Sequence, residues 1–468
     1  MAILWVCAGV HGQNKQLLYD FTEIPQSLNI NPGAEIDFKW YAGVPIVSGI
    51  SFQAGSSGVS ANDLFADDGL DFTDKIRNRL ILGMKPKDDL SGNFQIELLN
   101  IGFRGSDPNV FYSMGIYTEG DAIGYWPQDY VLLAFEGNAG LLNKKFNAAD
   151  LKTRGELLNV FHFGINKKID SKLTFGVRGK IYSSIFDFNS TRNKGFFVTR
   201  RGQNNLLSNT LDVDMKWRTS GINAIKKAEK EEDLASAIIK RGFFGGNLGL
   251  GMDVGFTYKL NEQTVFTGSL LDLGLIYHAN DVENHILKGT ATTEGVGVIL
   301  PDAAADLNED FWRDLVDEIE TLVPFEEDAK SYISFRPTKL NASLRYNFGE
   351  QRQRTANCDC DPNVVRSNRS QKYVNGIGGQ LYMINRPRGP QMALTAFYHR
   401  RFGNFMAVKT TYTIDKFSYT NIGLGVSLQA GPVNLYLLAD NLLGYQNLAD
   451  SHYASFQFGL NIISWGKK

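Results

Sequence analysis

Apolar and polar residues alternate with a period of two along most of this chain. One face of residues 247–258 carries leucine, methionine, valine and aromatic side chains, and the other carries three glycines, Asp253 and Thr257. The same alternation recurs in residues 173–182, 340–348, 421–429 and 455–462. This period predicts β-strands with one apolar face, and runs of about 9–12 residues match a tilted bilayer crossing. We therefore predict an all-β fold, a transmembrane antiparallel β-barrel, with a soluble β-sandwich or solenoid as the alternative.

Short turns alternate with long connections between these strands. The long connections are residues 57–91, 119–155, 188–246 and 277–337, and a typical short turn is Phe402–Asn404. Short turns at one end and long loops at the other are typical of outer-membrane barrels. The count is about 14 strands, in a range of 12–16, and an even number closes such a barrel without free edges. The predicted strands are 35–56 (bent at 43–45), 92–103, 109–118, 156–166, 171–187, 247–258, 264–276, 338–348, 372–384, 391–402, 404–415, 418–429, 432–439 and 454–464.

The N-terminal residues resemble the end of a secretory signal peptide. An apolar run, Ile3–Val10, is followed by small residues and then by a polar stretch, although Met1 and Ala2 carry no positive charge. We predict a truncated signal peptide over residues 1–12, with a buried N-terminal strand as the alternative. Residues 13–34 are then predicted to form an extended periplasmic segment, and residues 35–468 a single barrel domain.

Helical spacing interrupts the strand pattern inside the long loops. Residues 302–323 place apolar side chains on one face and acidic side chains on the other, and residues 224–240 and 62–82 are further candidates. Two interpretations remain open for these helical insertions. They pack over or into the barrel mouth with solvated charged faces, or they form a vestibule that binds a partner or attracts cations.

Composition narrows the class of protein. Lys and Arg total 48 against 50 Asp and Glu, a net charge of −2, which excludes a global basic surface for nucleic acid. Three cysteines exclude a disulfide scaffold. A mean hydropathy of −0.21 and the lack of any run of about 18 apolar residues exclude membrane-spanning helices.

We find no catalytic constellation in the sequence. The six histidines are scattered, and neither a zinc-protease motif, a nucleophile elbow nor a phosphate-binding loop is present. Cys358 and Cys360 could form a strained disulfide, bind a soft metal or be incidental, and two thiols do not complete a zinc site. We therefore predict a protein that is not an enzyme, with no metal and no cofactor.

Charged residues on the polar strand faces are the best functional lead. Lumen charges either pair into a structural network or line a pore, and we place the network slightly ahead. A barrel of this size is compatible with a plug or a filled lumen, because eight strands are already filled by side chains and sixteen to eighteen leave a channel. The candidates for lining the lumen or pore are Arg178, Lys180, Asp253, Asp272, Arg345 and His399.

Several short motifs occur in order along the chain. Phe21–Gly33 contains Pro-Gln-Ser and Asn-Pro, Leu270–Tyr277 contains Leu-Asp-Leu-Gly, and Ile46–Phe52 and Ala439–Leu443 complete the set. Together they resemble a family of Bacteroidota outer-membrane barrels of unknown function, over about residues 17–464. This family is distantly similar to long-chain fatty-acid transporter barrels and to barrels that accompany the type IX secretion system. The resemblance implies an outer-membrane location and carries over no functional residue, and Gly33 departs from the alanine that often follows Asn-Pro.

Two functions follow from this reading. The first is a pore or transporter for small or hydrophobic solutes, favoured by the glycine-rich, charged polar face. The second is a structural or interaction barrel in an outer-membrane secretion or assembly complex. The predicted partners are outer-membrane lipid and, for the second function, other outer-membrane or secretion-system proteins; nucleic acid is not expected.

Overall fold

The computed structural model describes residues 15–202, 207–226, 231–294, 325–350, 373–447 and 449–465. Several sequence-based predictions lie outside these described residues: the signal peptide over residues 1–12, the helix over residues 302–323, and the pair Cys358 and Cys360. They stay predictions.

The described residues contain twenty strands, joined in one antiparallel sheet. The strands are β1 (Trp40–Gly43), β2 (Ile50–Ser56), β3 (Asp89–Arg104), β4 (Val110–Tyr125), β5 (Lys145–Asn147), β6 (Thr153–Lys168), β7 (Leu173–Arg201), β8 (Leu207–Ser220), β9 (Asn247–Lys259), β10 (Thr264–His278), β11 (Val282–Glu294), β12 (Phe325–Asp328), β13 (Tyr332–Phe335), β14 (Lys339–Glu350), β15 (Tyr373–Arg386), β16 (Gly389–Phe402), β17 (Met406–Ile414), β18 (Asn421–Ala430), β19 (Val433–Asp440) and β20 (Tyr453–Ser464).

Fourteen strand positions close into a barrel, as predicted. β1 and β2 share one position, because each pairs with β20 on one side and β3 on the other. β13 and β14 share another position beside β10. The remaining positions are β3, β4, β6, β7, β9, β10 and β15–β20, each paired with its neighbour in the chain order of the barrel. Closure leaves this wall without a free edge, so its backbone hydrogen bonds are satisfied internally.

The predicted strand over residues 35–56 is corrected at both its start and its middle. Regular pairing begins at Trp40, and residues 44–49 interrupt it at the predicted bend. The wall stays bonded there, since Ile46 N donates to Glu97 O and Glu97 N donates to Gly49 O. Ile46 has φ +71°, a conformation that costs a β-branched residue energy, and it is exposed on the outer side of the wall.

Three of the predicted long loops contain more strand than expected. β4 runs to Tyr125 although we ended it at residue 118, and β7 extends for 29 residues, well past the wall. The far part of β7 pairs with β5 and β8, β8 pairs with β11, and β11 with β12, and we call this extension the rim sheet. Its own apolar cluster includes Val213, Met215 and Trp217. From the sequence we predict hairpin-like insertions at residues 195–218 and 283–298, and these overlap the end of β7, β8 and β11. Alternation is weak elsewhere in these loops because polar side chains occupy both faces, so β5, β12 and the end of β4 were not predicted.

Helices are short and lie in the long loops. They are α1 (Ala61–Phe65), α2 (Phe72–Lys75), α3 (Gln128–Glu136), α4 (Ile222–Lys226) and α5 (Glu231–Lys240), with single helical turns of 3₁₀ or π type at Pro25–Asn29, Ile76–Ile81, Ala148–Asp150, Arg241–Gly245 and Leu442–Gln446. The predicted helical candidates at 62–82 and 224–240 are confirmed in part. Ser60 caps α1 in a reciprocal box with Asp63, which fixes where that helix begins. Among the described helices, none is long and apolar enough to cross a membrane.

The two faces of the wall differ as the alternation predicted. Large apolar side chains are exposed on the outside, for example Leu250 and Leu344, while Asp253 and Ser343 beside them face inward and are buried. Aromatic residues recur near the ends of the strand patterns, which is typical of the belts at a membrane surface, but they divide between the two faces. Tyr346 and Tyr412 are exposed on the outer face, whereas other aromatic residues near the strand ends are buried. These are Phe111, Tyr117, Phe417 and Tyr436.

Candidate functional site

Residues 15–39 lie inside the barrel, and we call them the plug. The prediction placed residues 13–34 in an extended periplasmic segment outside the wall, and the described part of it is instead coiled through the lumen in turns and one 3₁₀ helix. Leu17, Phe21 and Ile24 are completely buried. Apolar residues of the plug pack on one another and on a few apolar wall residues, such as Leu438. Burial of this cluster is what makes a chain segment stay inside a polar lumen.

The plug passes very close to the wall at its Asn-Pro-Gly turn. A side chain at Gly33 would meet the backbone of Gly255, and a side chain at Gly176 would meet the carbonyl of Pro32. Asn166 donates from Nδ2 to Pro32 O at 2.7 Å and to Ala34 O at 2.9 Å. The motif that carried the family resemblance is therefore a docking turn, and glycine is needed because two backbones touch there.

Neutral amides of the plug hold a buried wall carboxylate, Glu97. Gln26 Nε2 donates to Glu97 at 3.0 Å and Asn29 Nδ2 donates at 2.6 Å. Ser48 and Asn100 add two donors from the wall, each at 3.0 Å. Four hydrogen bonds replace the water that this carboxylate loses on burial.

Eight charged side chains of the wall form one chain of ion pairs, which we call the paired network. Asp253 contacts Arg178 at 2.5 Å and Lys180 at 2.9 Å, and Lys180 contacts Asp272 at 2.6 Å. Lys339 then joins Asp272 at 2.9 Å to Glu119 at 3.1 Å. Arg336 closes the chain by contacting Glu119 at 2.9 Å and also Glu156. These eight side chains balance, with four cations against four carboxylates, and Arg154 adds a further cation 3.3 Å from Glu156. The carboxylates of the network are therefore compensated without the plug.

A backbone irregularity places Asp272 in this network. The ladder between β9 and β10 shifts between Leu270 and Leu273, and Asp272 has φ +58° in the resulting bulge. Its backbone N–H donates to Asp253 Oδ1 at 2.7 Å. The bulge thus lets one strand direct Leu271 and Asp272 inward together, and the Leu-Asp-Leu-Gly motif encodes it.

The neighbouring part of the lumen, on β14, β16 and β17, carries basic side chains that face the plug, and we call Arg345, His399, Arg401 and Lys409 the basic wall. Arg401 Nε donates to Glu23 of the plug, and His399 Nε2 lies 3.4 Å from the same carboxylate. Arg345 donates to the backbone carbonyl of Asp20 at 3.2 Å. Lys409, completely buried, donates to the carbonyls of Tyr19 and Gln16.

Glu23 is held in its charged form. Burial alone would raise the pKa of this carboxyl, but the neighbouring Arg401 and His399 outweigh burial and hold the pKa well below its ordinary value of 4.5. Above that ordinary value the charged Glu23 therefore contributes its full attraction to the docking of the plug.

Small cavities remain between plug and wall. One of about 50 Å³ lies against the paired network beside Lys15, Asn29 and Lys339, and another of about 70 Å³ lies beside Glu23 and Arg401. A water needs roughly 10–15 Å³ of such space. These cavities therefore accommodate a few waters, and the plug separates them.

All six sequence-predicted lumen candidates face the lumen, but they belong to two different sites. Arg178, Lys180, Asp253 and Asp272 lie in the paired network. Arg345 and His399 lie in the basic wall. Sequence reasoning missed Glu119, Glu156 and Arg336, which it had placed in or next to loops. It also missed Glu23, for which acidity within the family motif was the only signal.

The fold and site define a class: a closed fourteen-strand barrel with an apolar outer wall and a plugged, charged lumen. The chain belongs to the family of unknown function DUF5723, whose family model matches residues 32–440. No curated protein matches it significantly in sequence.

Solved structures similar to this chain include three barrels. The TodX deltaS2S3 mutant monoaromatic hydrocarbon channel is 10% identical, covers 94% of each chain and has a TM-score of 0.42. A Pseudomonas aeruginosa FadL homologue is 9% identical, with 98% of this chain and 99% of that chain covered and a TM-score of 0.41. The Ralstonia pickettii toluene transporter TbuX is 9% identical, with 94% and 92% covered and a TM-score of 0.37.

Proposed function

We propose that this protein is an outer-membrane channel for small solutes and that the plug closes its lumen. The observation that carries the proposal is the contrast between the faces of the wall, apolar outside and charged inside. That contrast is typical of outer-membrane barrels with a polar interior. The ion pairs of the paired network join wall residues to one another. A barrel without the plug therefore keeps these pairs.

The lumen favours water-soluble solutes over hydrophobic ones. Its buried lining includes Asn341, Thr411 and Gln457 besides the charged residues. A hydrophobic solute in contact with these groups would take their water away without offering hydrogen bonds, which costs free energy for each group. Small polar solutes are therefore the better match for this interior.

Passage requires the plug to move. Its contacts with the wall are mainly side-chain hydrogen bonds and two ionic contacts, Glu23 with Arg401 and Glu35 with Lys259 at 2.6 Å, and the apolar cluster is largely its own. A segment held in this way can leave the lumen without breaking the backbone ladder of the wall. We therefore propose a closed resting state and an open state in which residues 15–39 are displaced.

Single-channel recording in planar bilayers tests this proposal. We expect the full chain to be closed most of the time, and a variant in which a Gly-Ser linker replaces residues 16–33 to conduct continuously. A matched control replaces residues 61–75, the loop that contains α1 and α2, with the same linker and should stay closed. Heat-modifiable gel mobility checks that each barrel is folded. A folded variant without the plug that fails to conduct would overturn the channel.

If the plug replacement does not fold, the double variant Asn166→Ala, Gln26→Ala provides a second route. It removes six hydrogen bonds between plug and wall, two made by Asn166 and four made by Gln26 with Ser48, Glu97 and Asn461, while leaving the backbone intact. Openings should become several-fold more frequent than in the full chain. Hydrogen exchange shows whether the plug is released in this variant. If the plug is released and the opening frequency is still unchanged, the result would also count against a channel.

A second function, a structural or interaction barrel, is favoured by the rim sheet. Strands β8, β11 and β12 form a sheet outside the wall with an apolar cluster of its own, and closing the barrel does not require them. Cross-linking in native membranes with a photoreactive residue at exposed Arg192 tests this function. A specific adduct would support an interaction barrel, and a barrel that always runs alone would count against it.

A further inference from the structure

We infer that the basic wall is a binding site for small anions, occupied by the plug's Glu23 when the lumen is closed and by an anionic solute when the plug is displaced. This inference rests on the proposed function, because it names the class of solute for the same lumen. Small carboxylates and phosphates share the chemistry that this site would recognise.

The two charged regions of the lumen balance their charges in different ways. Within the paired network every cation contacts a carboxylate of the wall, for example Arg178 with Asp253 and Arg336 with Glu119. The plug's direct hydrogen bonds to that network come from neutral groups, since Arg178 donates to Asn29 Oδ1 at 2.9 Å and to the carbonyl of Leu28 at 3.1 Å. Lys15 acts on Glu119 and Asp272 only across a small cavity. Removing the plug would therefore leave the ion pairs of this network in place.

The basic wall takes its ionic partner from the plug. Arg401 and His399 share the Glu23 carboxylate, while Arg345 and Lys409 point at backbone carbonyls of the plug. Displacing the plug removes all of these acceptors at once. Buried cations without acceptors are strongly unfavourable, so the vacated site gains free energy by taking up an anion.

The wall offers only limited compensation in this region. Asp440 is the wall carboxylate that acts electrostatically on Lys409, and it accepts a hydrogen bond from Ser455 at 3.1 Å. Against it stand two permanent cations, Arg345 and Arg401, and the amine of Lys409. Among the described residues the vacated surface is therefore net positive, and a lumen lined by one sign of charge concentrates the opposite ion.

Glu23 indicates where the anion would sit. Its carboxylate meets a guanidinium and an imidazole, the donors that also bind carboxylate and phosphate oxygens of free solutes. The cavity of about 70 Å³ lies directly beside it. Its lining mixes polar wall residues such as Arg401 and Ser427 with apolar ones such as Phe405, and the plug adds Asp37, which lies on the same segment as Glu23. Displacing the plug therefore enlarges this space and leaves Arg401 at its wall.

Competition between free anions and the plug tests the site without any transport. Hydrogen exchange of residues 15–39 is measured on the full chain in a non-ionic detergent, with citrate or phosphate compared with sodium chloride at equal ionic strength. We expect these anions to raise plug exchange several-fold above the chloride sample. In Arg401→Gln and Lys409→Gln this anion-specific rise should disappear, and in Arg192→Gln on the rim sheet it should remain.

Ion selectivity of the open barrel provides the second measurement. In the variant whose plug is replaced by the linker, the permeability ratio of anions to cations should be roughly tenfold. This is the lower end of the counter-ion enrichment in a cleft lined by charges of one sign. Adding Arg401→Gln should reduce that ratio, and adding Arg192→Gln should not.

The outcomes separate the inference from the proposed function. A folded barrel that never conducts, but whose plug is released by citrate, would overturn the channel and keep the anion site. A conducting barrel without anion preference, together with no citrate effect on the plug, would overturn the anion site and keep the channel. If Arg401→Gln does not fold, Lys409→Gln alone decides the question.

Discussion

The paired network and the basic wall lie across the same lumen and differ in where their counter-charges come from. In the network, cations and carboxylates all belong to the wall, some on adjacent strands and some on strands further round it, so forming the barrel also forms the ion pairs. In the basic wall, Arg401 and His399 take their carboxylate from the plug, at Glu23. The first region therefore belongs to the stability of the wall, and the second to the position of the plug.

This difference means that charge content alone says little about function. Both regions contain Arg and Lys on inward strand positions, fully buried at Arg178 and Lys409 and partly buried at Arg345 and Arg401. A buried pair holds a fixed structure because breaking it leaves an uncompensated charge. A buried cation whose partner lies on a removable segment is instead available for another ligand. Four predictions, from the largest expected effect to the smallest, test this distinction.

The largest effect is expected from Asp253→Asn in the paired network. Asp253 is completely buried and compensates both Arg178 and Lys180, so its loss leaves buried positive charge. We expect the free energy of unfolding to fall by about 3–5 kcal/mol. Urea unfolding of the refolded barrel, followed by tryptophan fluorescence, measures it. A loss below about 1 kcal/mol, the range of exposed pairs, would show that the network does not hold the wall.

A smaller and local effect is expected from Asn166→Ala at the docking turn. It removes two buried hydrogen bonds to the carbonyls of Pro32 and Ala34. About 2 kcal/mol of plug docking should be lost, and hydrogen exchange of residues 15–39 should accelerate while the wall strands stay protected. The matched control is Asn341→Ala, which removes a wall-to-wall bond to Ser269. Equal acceleration of plug exchange in both variants would contradict a local role for Asn166.

Glu23→Gln should loosen the plug by about 1 kcal/mol, because a pair at the partly solvated mouth is worth less than a buried one. Since the folded pKa of Glu23 lies below 4.5, its contribution is complete above that value and is lost only as pH falls through the lowered pKa. The ratio of plug exchange rates between Glu23→Gln and the natural chain should therefore not fall between pH 8 and pH 5. A ratio that already falls there would contradict the lowered pKa.

The smallest effect is expected from Arg192→Gln on the rim sheet. Arg192 pairs with Asp214 at 2.9 Å, but both side chains are largely solvated, so water and salt screen the pair. We expect no measurable change in the urea midpoint or in plug exchange. A clear loss of stability would show that charge pairing matters in this protein independently of burial, which would remove the distinction between the two regions.

Much of the wall could be predicted from the sequence. Alternation at period two placed Asp253, Arg178 and Arg345 on the inward face correctly, because the faces of a strand follow directly from residue parity. The pattern was incomplete where both faces are polar, as in the rim strands. It placed Asp272 on the inward face but did not predict the bulge that also turns Leu271 inward. Residue type alone does not tell which face an aromatic side chain occupies. Tyr117 is buried on the inner face, and Tyr346 is exposed on the outer face.

The division of the lumen could not be predicted. Nothing near His399 in the chain indicates Glu23, which is 376 residues away in sequence. The sequence of the plug mixes polar and apolar residues without a regular period. Its apolar residues form a cluster inside the barrel only in the folded structure. Which cations are paired by the wall and which by the plug depends on contacts between distant strands and a segment with no periodicity.

The sequence by itself determined the class of fold, the number of strands and which residues point inward, because these depend on local alternation and on turn spacing. The tertiary structure alone decided that residues 15–39 enter the lumen, that Arg178 and Asp253 form a wall pair, and that Arg401 binds the plug. The physical reason is that electrostatic pairing in a closed barrel depends on distance through space across the lumen, and separation along the chain does not report that distance.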